Sequence, residues 1–113
     1  MNIRKPADYS VLFSELDNLM AVQLPQMELY CEIGRVVSGR AEKGAAVAAS
    51  EYLQITCPDV EGFSPRNLRR MRAFYAAYGA SPEIMRQAMS LGWTQNVANL
   101  EKCSSNEERA WYI

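Results

Sequence analysis

The residues best suited to chemistry in this chain are cations and an amide at one predicted helix start. The segment Gly62 to Arg72 reads GFSPRNLRRMR and holds four arginines and one asparagine. Arginine presents a planar fork of N–H donors that fits phosphate or a guanine edge, and asparagine fits an adenine edge. The segment therefore indicates nucleic-acid binding. The candidate contact residues are Ser64, Arg66, Asn67, Arg69, Arg70 and Arg72.

A clear start signal places these residues on a helix. Ser64 is a favoured N-cap, and Pro65 at the first helical position loses no hydrogen bond. Phe63 precedes the cap, where it can pack onto Leu68 as a hydrophobic staple. The same pattern predicts that the helix ends before Gly79, a C-cap residue type.

Helical periodicity separates this predicted helix into two faces, because each residue advances about 100° around the axis. The expected apolar face comprises Leu68, Met71, Tyr75 and Tyr78. The opposite side carries Arg66, Arg69 and Arg70, with Arg72 flanking them and Ala73, Ala76 and Ala77 between them. Small side chains allow a bulky partner to approach the backbone while the arginines supply charge and hydrogen-bond donors.

Three interpretations of the basic face stay open on these residues alone. The preceding helix, the turn and this helix together predict a helix-turn-helix, whose second helix enters the major groove of duplex DNA. A protein-binding face is the second interpretation. The third is a structural face, since arginines on helices are often solvated or paired with nearby acids.

The distribution of charge is more informative than its total. The 113 residues have a formal net charge of −1. Residues 1–61 hold five Lys/Arg and nine Asp/Glu (net −4), residues 62–90 hold five and one (net +4), and residues 91–113 hold two and three (net −1). A basic segment thus lies within an acidic chain, which is the local signature expected of an anion-binding surface.

Composition argues against most other chemistry. The chain has no histidine, and its three cysteines, Cys31, Cys57 and Cys103, form no C-x-x-C pair. Mixed Cys/His zinc sites and the common nucleophile–histidine pairs are therefore excluded, and reduced thiols are expected. We expect no metal and no cofactor. The N-terminus lacks the apolar core of a signal peptide, so a cytoplasmic protein without membrane contact is predicted.

The remaining pattern predicts an all-α fold, a small helical bundle with a helix-turn-helix-like core. An apolar stripe from Tyr9 to Val37 predicts a long N-terminal helix, capped by Asp8 and kinked or split at Pro25. The stripe offers area for a homodimer. Further helices are expected at about residues 45–56, 65–78, 82–90 and 94–102. A last helix is expected after an S-x-x-E capping box formed by Ser105 and Glu108.

Four sequence blocks together resemble the N-terminal domain of the YhcG-like PDDEXK nuclease family. They span about residues 28–113 in the family's order, and the second is the most specific. The blocks are Tyr30 to Arg35, Gly62 to Tyr75, Leu91 to Thr94 and Glu108 to Tyr112. One departure is Gln95, since the family often has histidine two residues beyond this tryptophan.

The resemblance implies a non-enzymatic, helix-turn-helix-like module that binds duplex DNA. In that family a separate nuclease domain follows, and residues 1–113 are expected to be a single helical domain that carries none of it. Pro58-Asp59 is followed by no Glu-x-Lys or Asp-x-Lys pair, so it is interpreted as a turn. A nuclease domain or a partner chain would have to supply catalysis. A protein-interaction or dimerisation module is the alternative function.

Overall fold

The computed structural model describes residues 8–40, 42 and 44–102, and these ranges contain six helices and no strand. The helices are α1 (Ser10–Val22), α2 (Gln26–Ser38), α3 (Gly44–Thr56), α4 (Pro65–Tyr78), α5 (Pro82–Met89) and α6 (Trp93–Lys102). The predicted all-α bundle is confirmed. No helix in the described ranges combines the length and apolar character needed to cross a membrane.

Pro25 divides the predicted N-terminal helix into two separate helices. Gln23 ends α1 in the left-handed conformation, with φ of 60°, and α2 begins directly after Pro25. Because proline has no N–H and disfavours a helical residue before it, the chain turns here instead of continuing with a kink. The helix α1 consequently packs against α2 and α3.

This fold-back buries the apolar stripe within the domain itself. Leu12 and Leu16 of α1 are buried together with Tyr30, Ile33 and Val37 of α2. The stripe was the reason for considering a homodimer, and most of that surface is now internal. Dimerisation through the N-terminal helix therefore stays a prediction, without the exposed area that motivated it.

Contact between α2 and α4 forms the centre of the bundle, and it is the most extensive contact between two helices. Gly34 permits this contact, because a Cβ atom added there would collide with the backbone carbonyl of Met71. Ile33, Leu68 and Met71 are fully buried in the resulting core. This packing fixes which side of α4 faces inward.

A second apolar cluster joins the C-terminal half of α4 to α5 and α6. It is built on Phe74, Tyr78 and Ala88, all of which are buried. Trp93 packs against both clusters, with its ring 4.9 Å from that of Tyr30 and 5.8 Å from that of Phe74. The indole thus links α6 to α2 and α4, as a core residue rather than an exposed stacking platform.

The predicted buried face of α3 was partly wrong. The apolar pattern of this segment predicts a buried face, of which only Leu53 is buried, and Ile55 is 78% exposed. The residues of the predicted face are Val47, Ala48, Tyr52, Leu53 and Ile55. The buried positions of α3 are Ala45, Ala46, Ala49, Ser50 and Leu53. Small side chains let α3 pack closely against its neighbours, and the larger residues are left at the rim or in solvent.

Of the first and last predicted helices, only the first has its start within the described residues. Helix α1 begins at Ser10, and its N-cap is Tyr9 rather than Asp8. Asp8 nevertheless accepts the Ser10 N–H at 2.9 Å, and this hydrogen bond lowers the pKa of the Asp8 carboxyl. The predicted capping box of Ser105 and Glu108 lies outside the described residues.

Candidate functional site

The start of α4 has the predicted structure. The Ser64 hydroxyl accepts the backbone N–H of Asn67 at 3.1 Å, and Pro65 is the first helical residue. Phe63 and Leu68 are buried in the same cluster, as a hydrophobic staple requires. The helix ends at Tyr78 with Gly79 as its C-cap. The Ser64 hydroxyl therefore serves as the cap that holds the start of α4.

The buried face of α4 is shifted from the predicted one toward α5 and α6. Phe74, which was not predicted to be buried, is fully enclosed, whereas Tyr75 is only half-buried. Trp93 and the second cluster cover the Phe74 side of the helix, and nothing in a helical wheel of α4 reveals those neighbours. Arg66 and Arg69 remain on the exposed side, as predicted.

Arg66 and Arg69 are the two guanidinium groups of α4 that have no partner in the described part of the chain. Both are exposed, and neither forms a hydrogen bond or an ion pair with any residue of the described ranges. Residues three apart on a helix are neighbours on its surface. The two side chains can therefore meet adjacent groups of one anionic ligand.

Arg70 is held by a carboxylate of α6. Its Nη2 donates to Glu101 Oε1 at 3.0 Å, and the side chains of Arg70 and Glu101 are 31% and 59% exposed. A surface ion pair of this kind is weak, typically about 0–1 kcal/mol. Arg70 can therefore exchange this partner for a ligand phosphate at little cost.

Arg72 is tied to the connection between α2 and α3. It donates from Nη2 to the carbonyl of Arg40 at 3.0 Å and from Nη1 to the carbonyl of Glu42 at 3.4 Å. The Glu42 carboxylate accepts in turn from Arg40, and its pKa is lowered by its own backbone N–H and by that guanidinium. Arg72 thus fastens this connection to α4 instead of pointing free into solvent.

Asn67 links three parts of the domain. Its Nδ2 donates to the carbonyl of Gly62 at 2.6 Å, and its Oδ1 accepts from Trp93 Nε1 at 2.8 Å. Gly62 has φ of 98°, a conformation that favours glycine. Both the Nδ2 and the Oδ1 of Asn67 are hydrogen-bonded within the domain. The amide is therefore not free for the bidentate contact with adenine that the sequence suggested.

An open groove of about 300 Å³ runs between α4 and α6 beside the exposed arginines. Its apolar part comes from Ala73 of α4 and from Val97 and Leu100 of α6. Its polar border comprises Arg66, Arg69, Arg70 and Glu101. The α6 side of the groove was not predicted, because nothing in the sequence reveals that α6 packs next to the arginines.

A family model, the DUF1016 N-terminal domain, matches residues 13–113. The chain belongs to this family. No curated protein and no solved structure shows a significant match to the chain. The family match confirms the resemblance to the N-terminal domain of YhcG-like nucleases, and it includes every element from α2 to α6.

The helix pair expected of a helix-turn-helix in this DUF1016 domain has a longer connection than predicted. Helices α3 and α4 contact each other, but residues 57–64 separate them. These eight residues exceed the roughly three- to four-residue turn typical of the motif. Pro58 and Asp59 form a turn, as predicted, and the Val60 N–H donates to the carbonyl of Cys57 at 3.1 Å.

The other candidate chemistries of the chain find little support in the described part of the domain. No group of three or more His, Cys, Asp or Glu residues converges there in a way that suits a metal ion. Cys31 and Cys57 are free thiols, and burial raises the pKa of Cys31. Cys103 and Trp111 lie outside the described residues. The basic face of α4 is therefore the best candidate site.

Proposed function

We propose that this DUF1016 N-terminal domain is a DNA-binding module that catalyses no reaction itself, and that Arg66 and Arg69 of α4 make its principal phosphate contacts. One observation carries the proposal. These two guanidinium groups are exposed on the same face and lack a partner among the described residues. Unpaired guanidinium groups bind phosphate with forked, charge-assisted hydrogen bonds.

The charge of the rest of the chain also supports the α4 face as the anion-binding surface. The chain has a net charge of −1, yet residues 62–90 contain five Lys/Arg and one acidic residue. Of the other two exposed arginines in the described ranges, Arg35 is neutralised by Glu32 at 2.8 Å, whereas Arg86 of α5 has no ion pair there. An anionic polymer would therefore be attracted to the α4 face and repelled by much of the rest of the surface.

The predicted contact residues divide into two roles under this proposal. Arg66 and Arg69 contact the ligand directly, and Arg70 joins them when it leaves Glu101. Ser64, Asn67 and Arg72 position α4 through the bonds that they make within the domain. The DNA-binding character implied by the family resemblance favours DNA over an acidic protein as the ligand.

The proposal is tested by neutralising the two free arginines together. We expect Arg66→Gln/Arg69→Gln to weaken binding to duplex DNA by about 10-fold or more at low salt, because two phosphate contacts are lost. The slope of log K against log salt should fall by about 2, since each contact contributes roughly 0.9. Fluorescence anisotropy with a labelled duplex at several salt concentrations measures both quantities.

A matched control separates local contact from total charge. The variant Arg35→Gln/Arg86→Gln changes the net charge equally but removes exposed arginines of α2 and α5. Its affinity should fall much less, and its salt slope should stay near that of the wild type. Equal losses in the two variants, or a wild-type domain that binds no DNA at low salt, would contradict the proposal.

A further inference from the structure

We infer that the groove between α4 and α6 accepts an unpaired nucleotide, so that the preferred ligand is DNA with a single-stranded position and not an uninterrupted duplex. The inference rests on the proposed function, because it takes phosphate binding by Arg66 and Arg69 as given. It adds the class of DNA and a contact surface on α6. It follows from the charge, the apolar lining and the size of the groove.

The border of the groove selects an anionic ligand. Among the described residues that line the groove, Arg66, Arg69 and Arg70 stand against one carboxylate, that of Glu101, which gives them a net charge of +2. That carboxylate already accepts a hydrogen bond from Arg70. A neutral, wholly apolar ligand would leave the guanidinium groups without partners, whereas a phosphate placed at the border would satisfy them.

The lining of the groove requires more of the ligand than phosphate. Ala73 is exposed, and Val97 and Leu100 are partly exposed, so the groove presents apolar surface next to the charges. In an uninterrupted duplex the faces of the bases are stacked on each other, so this part of the domain would meet only the backbone and base edges. An unpaired nucleotide offers a phosphate and a flat apolar base face together.

Arginine side chains add to the fit, because a guanidinium plane can stack on an unstacked base. The volume of about 300 Å³ lies at the lower end of the range for ligand pockets, roughly 300–1,000 Å³, and thus suits one small planar group. The groove is open, so a base can enter it while its strand continues on either side.

Both members of the ion pair at the border of the groove can form hydrogen bonds with the edge of that base. Glu101 is 59% exposed, and its carboxylate can accept from an exocyclic amino group such as cytosine N4. Arg70 uses only Nη2 toward Glu101, so its other N–H groups can donate to base or phosphate oxygens. Donors and an acceptor therefore stand side by side where the apolar surface ends.

The test compares three labelled ligands of equal length and sequence: a blunt duplex, the same duplex with a three-nucleotide gap, and the single strand. We expect the wild-type domain to bind the gapped duplex about 5-fold or more tightly than the blunt duplex at the same salt concentration, because base contacts add to the phosphate contacts. Fluorescence anisotropy titrations give the ratio of the two affinities.

Filling the groove should remove this preference selectively. Ala73→Leu places a larger apolar side chain inside the groove while leaving all the arginines, so the affinity ratio should fall toward 1 with blunt-duplex affinity nearly unchanged. Ala76→Leu is the matched control, because Ala76 is exposed on α4 but does not line the groove. It should keep the wild-type ratio.

The outcomes distinguish this inference from the proposed function. Equal affinity of the wild type for blunt and gapped duplexes overturns the inference and leaves DNA binding intact. An unchanged ratio in Ala73→Leu also overturns it, as expected if the groove serves an acidic amphipathic peptide instead. Absence of binding to all three ligands at low salt overturns the proposed function itself.

Discussion

At the scale of single residues, the role of a polar side chain depends on partners that are distant in sequence. Asn67 lies among four arginines and was a candidate for base recognition. In the folded domain its amide bridges Gly62 and Trp93, at 2.6 and 2.8 Å. Trp93 is 26 residues away, so only the fold brings these groups together. Asn67 is therefore best understood as a positioning residue.

This role predicts a loss of stability when the amide is removed. We expect Asn67→Ala to lower the free energy of unfolding by about 1–3 kcal/mol, because the Gly62 carbonyl and the Trp93 indole N–H lose partners in a partly buried setting. Urea unfolding followed by circular dichroism measures the change. The control is Asn18→Ala, a substitution at an exposed position of α1, where a change within about 0.5 kcal/mol is expected.

The same variant discriminates between the two roles of Asn67. A stability like that of the wild type, combined with weaker DNA binding, would contradict the positioning role and favour direct contact. Lower stability with DNA binding retained, measured well below the unfolding transition, is the result that the two hydrogen bonds predict.

At the scale of the helices, local signals predicted where elements begin and end better than which sides they bury. The cap of α4 and its end before Gly79 were predicted correctly, because caps depend on residues within one turn. The buried sides of α3 and α4 were partly wrong. Alanines proved to be the core of α3, and Phe74 was enclosed by α5 and α6. Burial depends on neighbours that periodicity does not identify.

The close contact of α2 with α4 at Gly34 predicts how a substitution there changes stability. Helix propensity alone would make Gly34→Ala stabilising by about 1 kcal/mol. The added Cβ would instead collide with the Met71 carbonyl and lie 3.1 Å from the Cβ of Tyr75. We therefore expect Gly34→Ala to destabilise the domain by about 1–3 kcal/mol, as overpacking does in a dense core. Thermal and urea unfolding measure the change.

Whether Gly34→Ala raises or lowers the free energy of unfolding tests this close packing of α2 on α4. Gly92→Ala is the control. A Cβ at Gly92 would meet no atom within 4 Å, so only a loss of less than about 1 kcal/mol is expected from its position just before α6. A stabilised Gly34→Ala variant would show that α2 and α4 do not approach as closely as described.

At the scale of the whole molecule, the charges of α4 are balanced from different elements. Glu101 of α6 holds Arg70, and carbonyls between α2 and α3 hold Arg72, whereas Arg66 and Arg69 have no partner among the described residues. The four arginines look equivalent in the sequence. Within the part of the chain that the structure describes, two of them have no partner, one forms an exposed ion pair and one is bound to backbone carbonyls.

Removing the carboxylate that competes for Arg70 should strengthen DNA binding. Under the proposed function, we expect Glu101→Gln to raise affinity for a blunt duplex about 2- to 5-fold, which corresponds to the weak energy of an exposed ion pair. The salt slope should change by less than about 0.9, because Arg70 reaches a phosphate in both complexes and only the cost of leaving Glu101 is removed. Anisotropy titrations at several salt concentrations measure both.

Glu51→Gln provides the control for that experiment. Glu51 is exposed on α3, outside the groove, and forms no ion pair within the described ranges. It changes the net charge by the same amount, so a smaller gain in affinity and an unchanged salt slope are expected. Equal gains in both variants would attribute the effect to net charge and not to the release of Arg70.

The sequence by itself determined the helical class, most helix boundaries, the family resemblance and the exposed basic side of α4, because each depends on residues within a turn or two or on a motif. Only the tertiary structure decided that α1 folds back onto α2 and α3. It also decided that Asn67 and Arg72 are hydrogen-bonded within the domain, and that α6 forms a groove with α4 beside Arg66 and Arg69. These features depend on contacts between elements that are far apart in the chain, and neither spacing nor composition specifies such contacts.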